Sequence, residues 1–241
     1  PEPYRIWEYY NQKCNLAQGY DIAINNKGLR EVTKPRMFLS KEEMIMGRQI
    51  INQVKERLQK EKTVIIQPFG RGVQHVDGSF IDNTGRSIEY KDFKLLIKKL
   101  QEQDFAVISM AEMGFDFSKD KLPYDVAMPE QVSLRHWSAA IKFSNHFIGC
   151  DSVGQHLAYI MDTPSTVICG PTFPINISYP ECDYFNIVDL GMKDRVYDPI
   201  RIMPDETTSR HNENLMAMND DIVEYVVDRV LGKPIPKDDD E

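Results

Sequence analysis

Four cysteines stand in the 241 residues, Cys14, Cys150, Cys169 and Cys182, and no two form a C-x-x-C pair. That excludes a thioredoxin-like motif and a zinc ribbon, and no His/Cys cluster has metal-ligand spacing. Cys150 and Cys169 fall in segments expected to be core strands, so they read as buried free thiols of a reducing compartment. No apolar run approaches the ~18 residues a membrane span needs. No stretch has the pattern of a secretory signal, which sets the expectation of a cytoplasmic location. Positive charge is also short: 29 Lys and Arg against 37 Asp and Glu leave a net charge of −8. Such a balance argues against a general nucleic-acid surface, so cations that hold an anionic ligand must be local. Internal repeats are absent. Gly70 and Gly72 form a G-x-G, but position 75 is His and no helix is expected there, so the dinucleotide fingerprint fails.

What is present is an alternation of strand and helix patterns from Lys62 onward. Lys62–Gln67 (KTVIIQ), Phe105–Met110, Phe147–Gly149, Ser165–Cys169 and Phe185–Val188 are short apolar runs suited to buried strands. Between them, Phe93, Leu96, Ile97 and Leu100 recur at helical spacing over Tyr90–Gln103. Ser133 caps a second helix with Leu134, Trp137, Ala140 and Ile141 inward, and Asp220–Leu231 closes the pattern before Gly232 and Pro234. The fold class expected is α/β, a Rossmann-like parallel sheet with helices on both faces. A short edge strand is expected over Tyr124–Ala127. The segment from Pro68 to Ser87 reads as a long Gly-rich and polar loop, which is functional or disordered in a compact domain.

Residues 1–61 differ in character. Tyr4, Trp7 and Tyr10 are spaced to share one helical face, Lys34–Leu39 is extended around Pro35, and Ser40 with Glu43 forms a capping box opening a helix to about Lys60. This is read as a helical connector. Residues 62–232 form the Rossmann-like domain and 233–241 an acidic tail. A chain that begins with Pro rather than Met reads as processed or as part of something longer.

The chain is organised around HFIGCDSVGQHLAYIMDTPSTVICGPTFP, residues 146–174. An apolar strand stops at Asp151-Ser152, a helix follows over Gln155–Met161, Pro164 bars its continuation, and a second strand ends in Gly170-Pro171-Thr172. In such a unit the helix N-terminus lies just beyond a strand's carboxyl end, where α/β sheets bind phosphate-bearing ligands. The stretch resembles the donor-binding half of the ADP-heptose:lipopolysaccharide heptosyltransferases, glycosyltransferase family 9. Their D-[ST]-G-x-x-H-L-A segment is matched by Asp151, Ser152, His156, Leu157 and Ala158. The F-G-P-T-x-P turn is matched by Gly170, Pro171, Thr172 and Pro174. Val153 departs from the pattern, standing where the family has Gly, with Gly154 one place later.

The resemblance covers residues 1–232 and implies one half of a GT-B glycosyltransferase, the half that binds a nucleotide-diphosphate sugar for inverting, metal-independent transfer without a cofactor. An N-terminal acceptor domain in a parent chain would supply the catalytic base and take a glycan or lipid-linked glycan acceptor. Donor diphosphate and sugar contacts are then expected from Arg71, Arg86, Ser87, Asp151, Ser152, Val153, Gly154, Gln155, His156, Gly170 and Thr172. Arg86 would stand in for the family's lysine, a chemically sensible exchange because guanidinium binds phosphate in a bidentate way. His156 is a donor candidate or a structural histidine, and Asp151 holds sugar hydroxyls or merely caps the helix. Glu112 and Met128 are weaker candidates for the nucleoside. Two other readings are a non-catalytic binding or assembly module of the same fold and a nucleotide-sugar 2-epimerase.

Overall fold

The structure, a computed structural model, describes residues 2–70, 73–76, 79–82, 84–110, 126–127, 129, 132–195 and 214–234. Its centre is a five-stranded, all-parallel sheet of β1 (Lys62–Gln67), β4 (Phe105–Ser109), β5 (His146–Gly149), β6 (Ser165–Cys169) and β7 (Phe185–Asp189), in the spatial order β4-β1-β5-β6-β7. The near-continuous apolar strands are what a sheet covered on both faces requires. Successive side chains sort accordingly. Val64, Ile66, Val107, Ile148 and Ile168 face one core, with α4 (Tyr90–Glu102) and α8 (Asp220–Val230). Ile65, Ile108, Phe147 and Val167 face the other, with α3 (Lys41–Leu58), α5 (Leu134–Phe143) and α6 (Val153–Ile160). The expected α/β sandwich is therefore the observed one, in three layers. No described helix is long and apolar enough to cross a membrane.

Ahead of β1 the described residues form several separate helical pieces. Pro3–Arg5 is a 3-10 turn, α1 is Trp7–Tyr10 and α2 is Leu16–Asn25. The sequence signal for α2 was its capping box: Asn15 accepts from the Gln18 amide at 2.9 Å and Gln18 reciprocates at 3.0 Å. The Tyr4–Trp7–Tyr10 stripe does not form because the first helix is too short to repeat; Trp7 is 66% exposed. Ser40 and Glu43 make the predicted capping box of α3. Far from hanging free, α3 crosses α5 at Gly47, where an added Cβ would lie 2.5 Å from Ala139 C and 2.7 Å from Ala140 N.

Two local expectations change, for the segment after β1 and for Leu134. The segment after β1 is not a plain loop: β2 (Val73–Val76) pairs antiparallel with β3 (Ser79–Asp82). The alternating V-Q-H-V and S-F-I-D around Asp-Gly at 77–78 are the pattern of a two-residue hairpin. Phe80 anchors it by stacking on Phe69 at 5.4 Å. Leu134, expected inward, is 54% exposed because it opens the first turn of α5, ahead of the part that meets the sheet. Beyond β6 the chain forms a short helix, α7 (Pro174–Ile177), with proline at a first helical position, where it is favoured. Of the expected edge strand Tyr124–Ala127, residues 124–125 lie outside the described residues, and Ala127 makes a single parallel bridge to Ile108.

Candidate functional site

The order of the strands fixes where a ligand site can form. From β1 the chain steps outward to β4, then returns across β1 to β5 and proceeds the other way to β6 and β7. The direction reverses between β1 and β5, and a crevice opens beyond their carboxyl ends. Gln67 ends β1, and Cys150, Asp151 and Ser152 leave β5 and lead into α6. The Gln67 side chain bridges this switch point. Its Oε1 accepts from the Gly154 amide at 2.7 Å and its Nε2 donates to Ser152 Oγ at 3.1 Å. Thus the α6 N-terminus is capped from a neighbouring strand, and Ser152, although at the N-cap position, makes no side-chain cap of its own.

Gly154 explains the departure from the family pattern. A Cβ there would lie 2.5 Å from the Phe147 ring and closer still to Gln67 Oε1. The glycine admits the Gln67 amide rather than providing a left-handed turn. Val153 carries no positive φ; it is simply the first helical residue, with a partly exposed side chain. The amides of Val153 and Gln155 meet no acceptor among the described residues, so the helix end retains donors and the positive end of its dipole.

The cation of the site comes from the segment behind β3. Asp82 gathers it: Oδ1 accepts from the Thr84 amide (2.8 Å) and Thr84 Oγ1 (2.6 Å). Oδ2 accepts from the amides of Arg86 (3.2 Å) and Ser87 (2.9 Å) and from Ser87 Oγ (2.6 Å). Burial opposes the Asp82 charge, but these hydrogen bonds outweigh it and hold the carboxyl below its ordinary range. Ser87 Oγ in turn accepts from the Gly70 amide at 3.1 Å, tying this segment to the end of β1. Arg86, so placed, pairs with Asp151 (Nη1 to Oδ2, 3.1 Å), both side chains being about nine-tenths buried. Burial disfavours the guanidinium charge, yet Asp151 and Asp82 more than compensate.

On the far side, Gly170 and Thr172 are buried rather than open to the crevice. Met216 packs over Gly170, where a Cβ would meet its sulfur at 2.7 Å, and the Gly170 carbonyl accepts from Arg195 Nε at 2.7 Å. Arg195 also pairs with Asp189 and lies over the Phe173 ring. Thr172 Oγ1 and Gln155 Oε1 are buried without a hydrogen-bond partner among the described residues. His156 is half-buried, and its Nδ1 lies 2.8 Å from Tyr179 Oη. Burial lowers its pKa although Asp151 works the other way, so the ring is neutral near pH 7.

The structure therefore brings Arg86, Ser87, Asp151, Ser152, Val153, Gly154, Gln155 and His156 to one end of the sheet. It sets Gly170 beneath Met216 and Arg195 and buries Thr172, while Arg71, Glu112 and Met128 lie outside the described residues. Sequence reasoning missed Gln67, Asp82, Tyr179 and Arg195. Only Gln67 carried a signal, as a polar residue closing an apolar strand.

No family profile matches the chain and no curated protein matches it in sequence. Solved structures do. A glycosyltransferase family 9 protein from Veillonella parvula superposes with a TM-score of 0.67 over 91% of this chain, at 11% identity. The ADP-heptose lipopolysaccharide heptosyltransferase II of E. coli superposes with a TM-score of 0.51 over 84%, at 12% identity. The chain spans 61% and 55% of the length of these two proteins. At that identity the likeness is one of fold, and in fold this chain resembles the glycosyltransferases of family 9.

Proposed function

We propose that the chain is the donor-binding part of a glycosyltransferase acting on a nucleotide-diphosphate sugar. One observation carries the reading: at the switch point of the sheet, the α6 amides that meet no acceptor among the described residues and a buried arginine stand together. That is the arrangement a diphosphate needs, with backbone donors and a dipole at one side and a fixed cation at the other. In the inverting course implied by the resemblance, an acceptor hydroxyl attacks the anomeric carbon while its proton passes to a base. That base is expected from an N-terminal acceptor domain. The bond from the anomeric carbon to the diphosphate oxygen breaks, and the charge growing on the diphosphate is met by donors already in place. Asp151 is suited to two tasks, orienting Arg86 and accepting from sugar hydroxyls.

A second reading draws on the same geometry. Arg86 is already paired with Asp151, and the Gly154 amide with Gln67, so groups that would bind a ligand are satisfied internally. A non-catalytic binding or assembly module of the same fold would look like this. Calorimetric titration with ADP, GDP and UDP tests the donor-binding reading. The donor-binding reading predicts saturable binding of one nucleotide, weakened by about 1.5–3 kcal/mol in Arg86→Gln, the range for a hydrogen bond to a charged group. Silence from all three nucleotides, with the protein folded, overturns it.

A further inference from the structure

His156 stands one turn into α6, close enough to Asp151 to feel its charge, and its role depends on which ring nitrogen carries the proton. A neutral imidazole with hydrogen on Nε2 donates to an anionic oxygen; with hydrogen on Nδ1, it presents a lone pair at Nε2 and acts as an acceptor or base. Nδ1 is 2.8 Å from Tyr179 Oη, and no other described group bonds to either side chain. Tyr179 is held firmly. Its ring stacks on Tyr159 at 3.5 Å and 7°, and meets the edge of Phe185 at 5.4 Å. Tyr159 is backed by Lys34, whose Nζ lies 4.5 Å from its centroid, pairs with Asp162 and donates to Tyr184 Oη at 2.7 Å. A phenol has one hydrogen to give, and the only described acceptor within reach of it is His156 Nδ1.

We infer that Tyr179 is a positioning residue: by donating to Nδ1 it holds His156 as the Nε2–H tautomer, a neutral donor to an anionic ligand oxygen rather than a general base. This rests on the donor-binding reading for the ligand, but not for the tautomer. Tyr179→Phe is the test, since it keeps both ring contacts and removes only the oxygen. In 15N-histidine-labelled protein near pH 7, with His156 assigned through His156→Gln, the native ring should show Nε2 in the protonated range and Nδ1 in the unprotonated range. In Tyr179→Phe the two signals should move toward each other as the tautomers mix, with the melting profile otherwise native-like. Affinity for whichever of ADP, GDP and UDP the native protein binds should fall about 2–10-fold, the loss of one oriented neutral hydrogen bond. Native His156 carrying its proton on Nδ1, or a tautomer unmoved in Tyr179→Phe, would overturn the inference whatever ADP does. If the native protein binds none of ADP, GDP and UDP while the tautomer shifts as stated, Tyr179 keeps its role and the nucleotide reading falls.

Discussion

Single residues at the crevice show how the carboxyl ends of β1 and β5 are held in register. Gln67, Gly154 and Ser152 form one unit, and each is informative only through the others: the glycine admits the amide, the amide caps the helix, and the hydroxyl takes its second hydrogen. Asp82 does the same for the segment that carries Arg86. Away from the crevice, His146 makes a prediction of its own. It is buried on β5 with Nε2 2.9 Å from Thr166 Oγ1, and burial lowers its pKa from 6.5 to about 4. The unfolded chain takes up a proton below pH 6.5 that the folded chain refuses until about pH 4. The stability this site contributes is therefore complete above pH 6.5 and is lost as the pH falls. Between pH 6.5 and 5.5 the loss should be about 1 kcal/mol, one unit's worth of titration. Urea unfolding at the two values measures it, and His146→Gln should remove most of the slope; an unchanged slope in that variant would place the titration elsewhere.

Among elements, the crossing of α3 and α5 joins the amino-terminal helices to the sheet domain. Gly47 lets the helices approach so closely that any side chain there would run into the Cβ of Ala139 and the Ala139–Ala140 backbone, and Arg135 adds a bond from Nη2 to Glu43 Oε2 at 2.9 Å. Gly47→Ala should thus destabilise, by about 1–3 kcal/mol of overpacking, even though alanine gains about 1 kcal/mol of helix propensity over glycine. A urea midpoint above the native value would show that the helices part without cost. Helices α3, α4, α5 and α8 and the strands were legible because each announces itself locally, through a cap, a helical spacing or a β-branched run. The hairpin after β1 was not, because its glycines and polar residues suit a loop equally well, and its anchor is a tertiary contact between Phe69 and Phe80. Helix α2 had a cap signal in Asn15 and Gln18 but little apolar periodicity to go with it, since Gly19 is its one buried residue.

For the whole molecule, the parallel order β4-β1-β5-β6-β7 turns a local motif into a site. The sequence placed Asp151 to His156 at the start of a helix and Arg86 in a polar segment some sixty-five residues earlier. Spacing alone did not reveal that Arg86 would pair with Asp151, or that Gly170 would be covered by Met216, because both depend on how distant segments fold over the sheet. The same topology concentrates the opening amides of α6, the dipole and the arginine at one point, and the proposed function requires that point to take a diphosphate. Amide chemical shifts recorded during titration with ADP, GDP and UDP test this most directly. For one nucleotide, the account predicts saturable shifts centred on Val153, Gly154 and Gln155, with Gly70 and Ser87 moving at the same midpoint. Shifts confined to other parts of the chain, or none from any nucleotide, would contradict it.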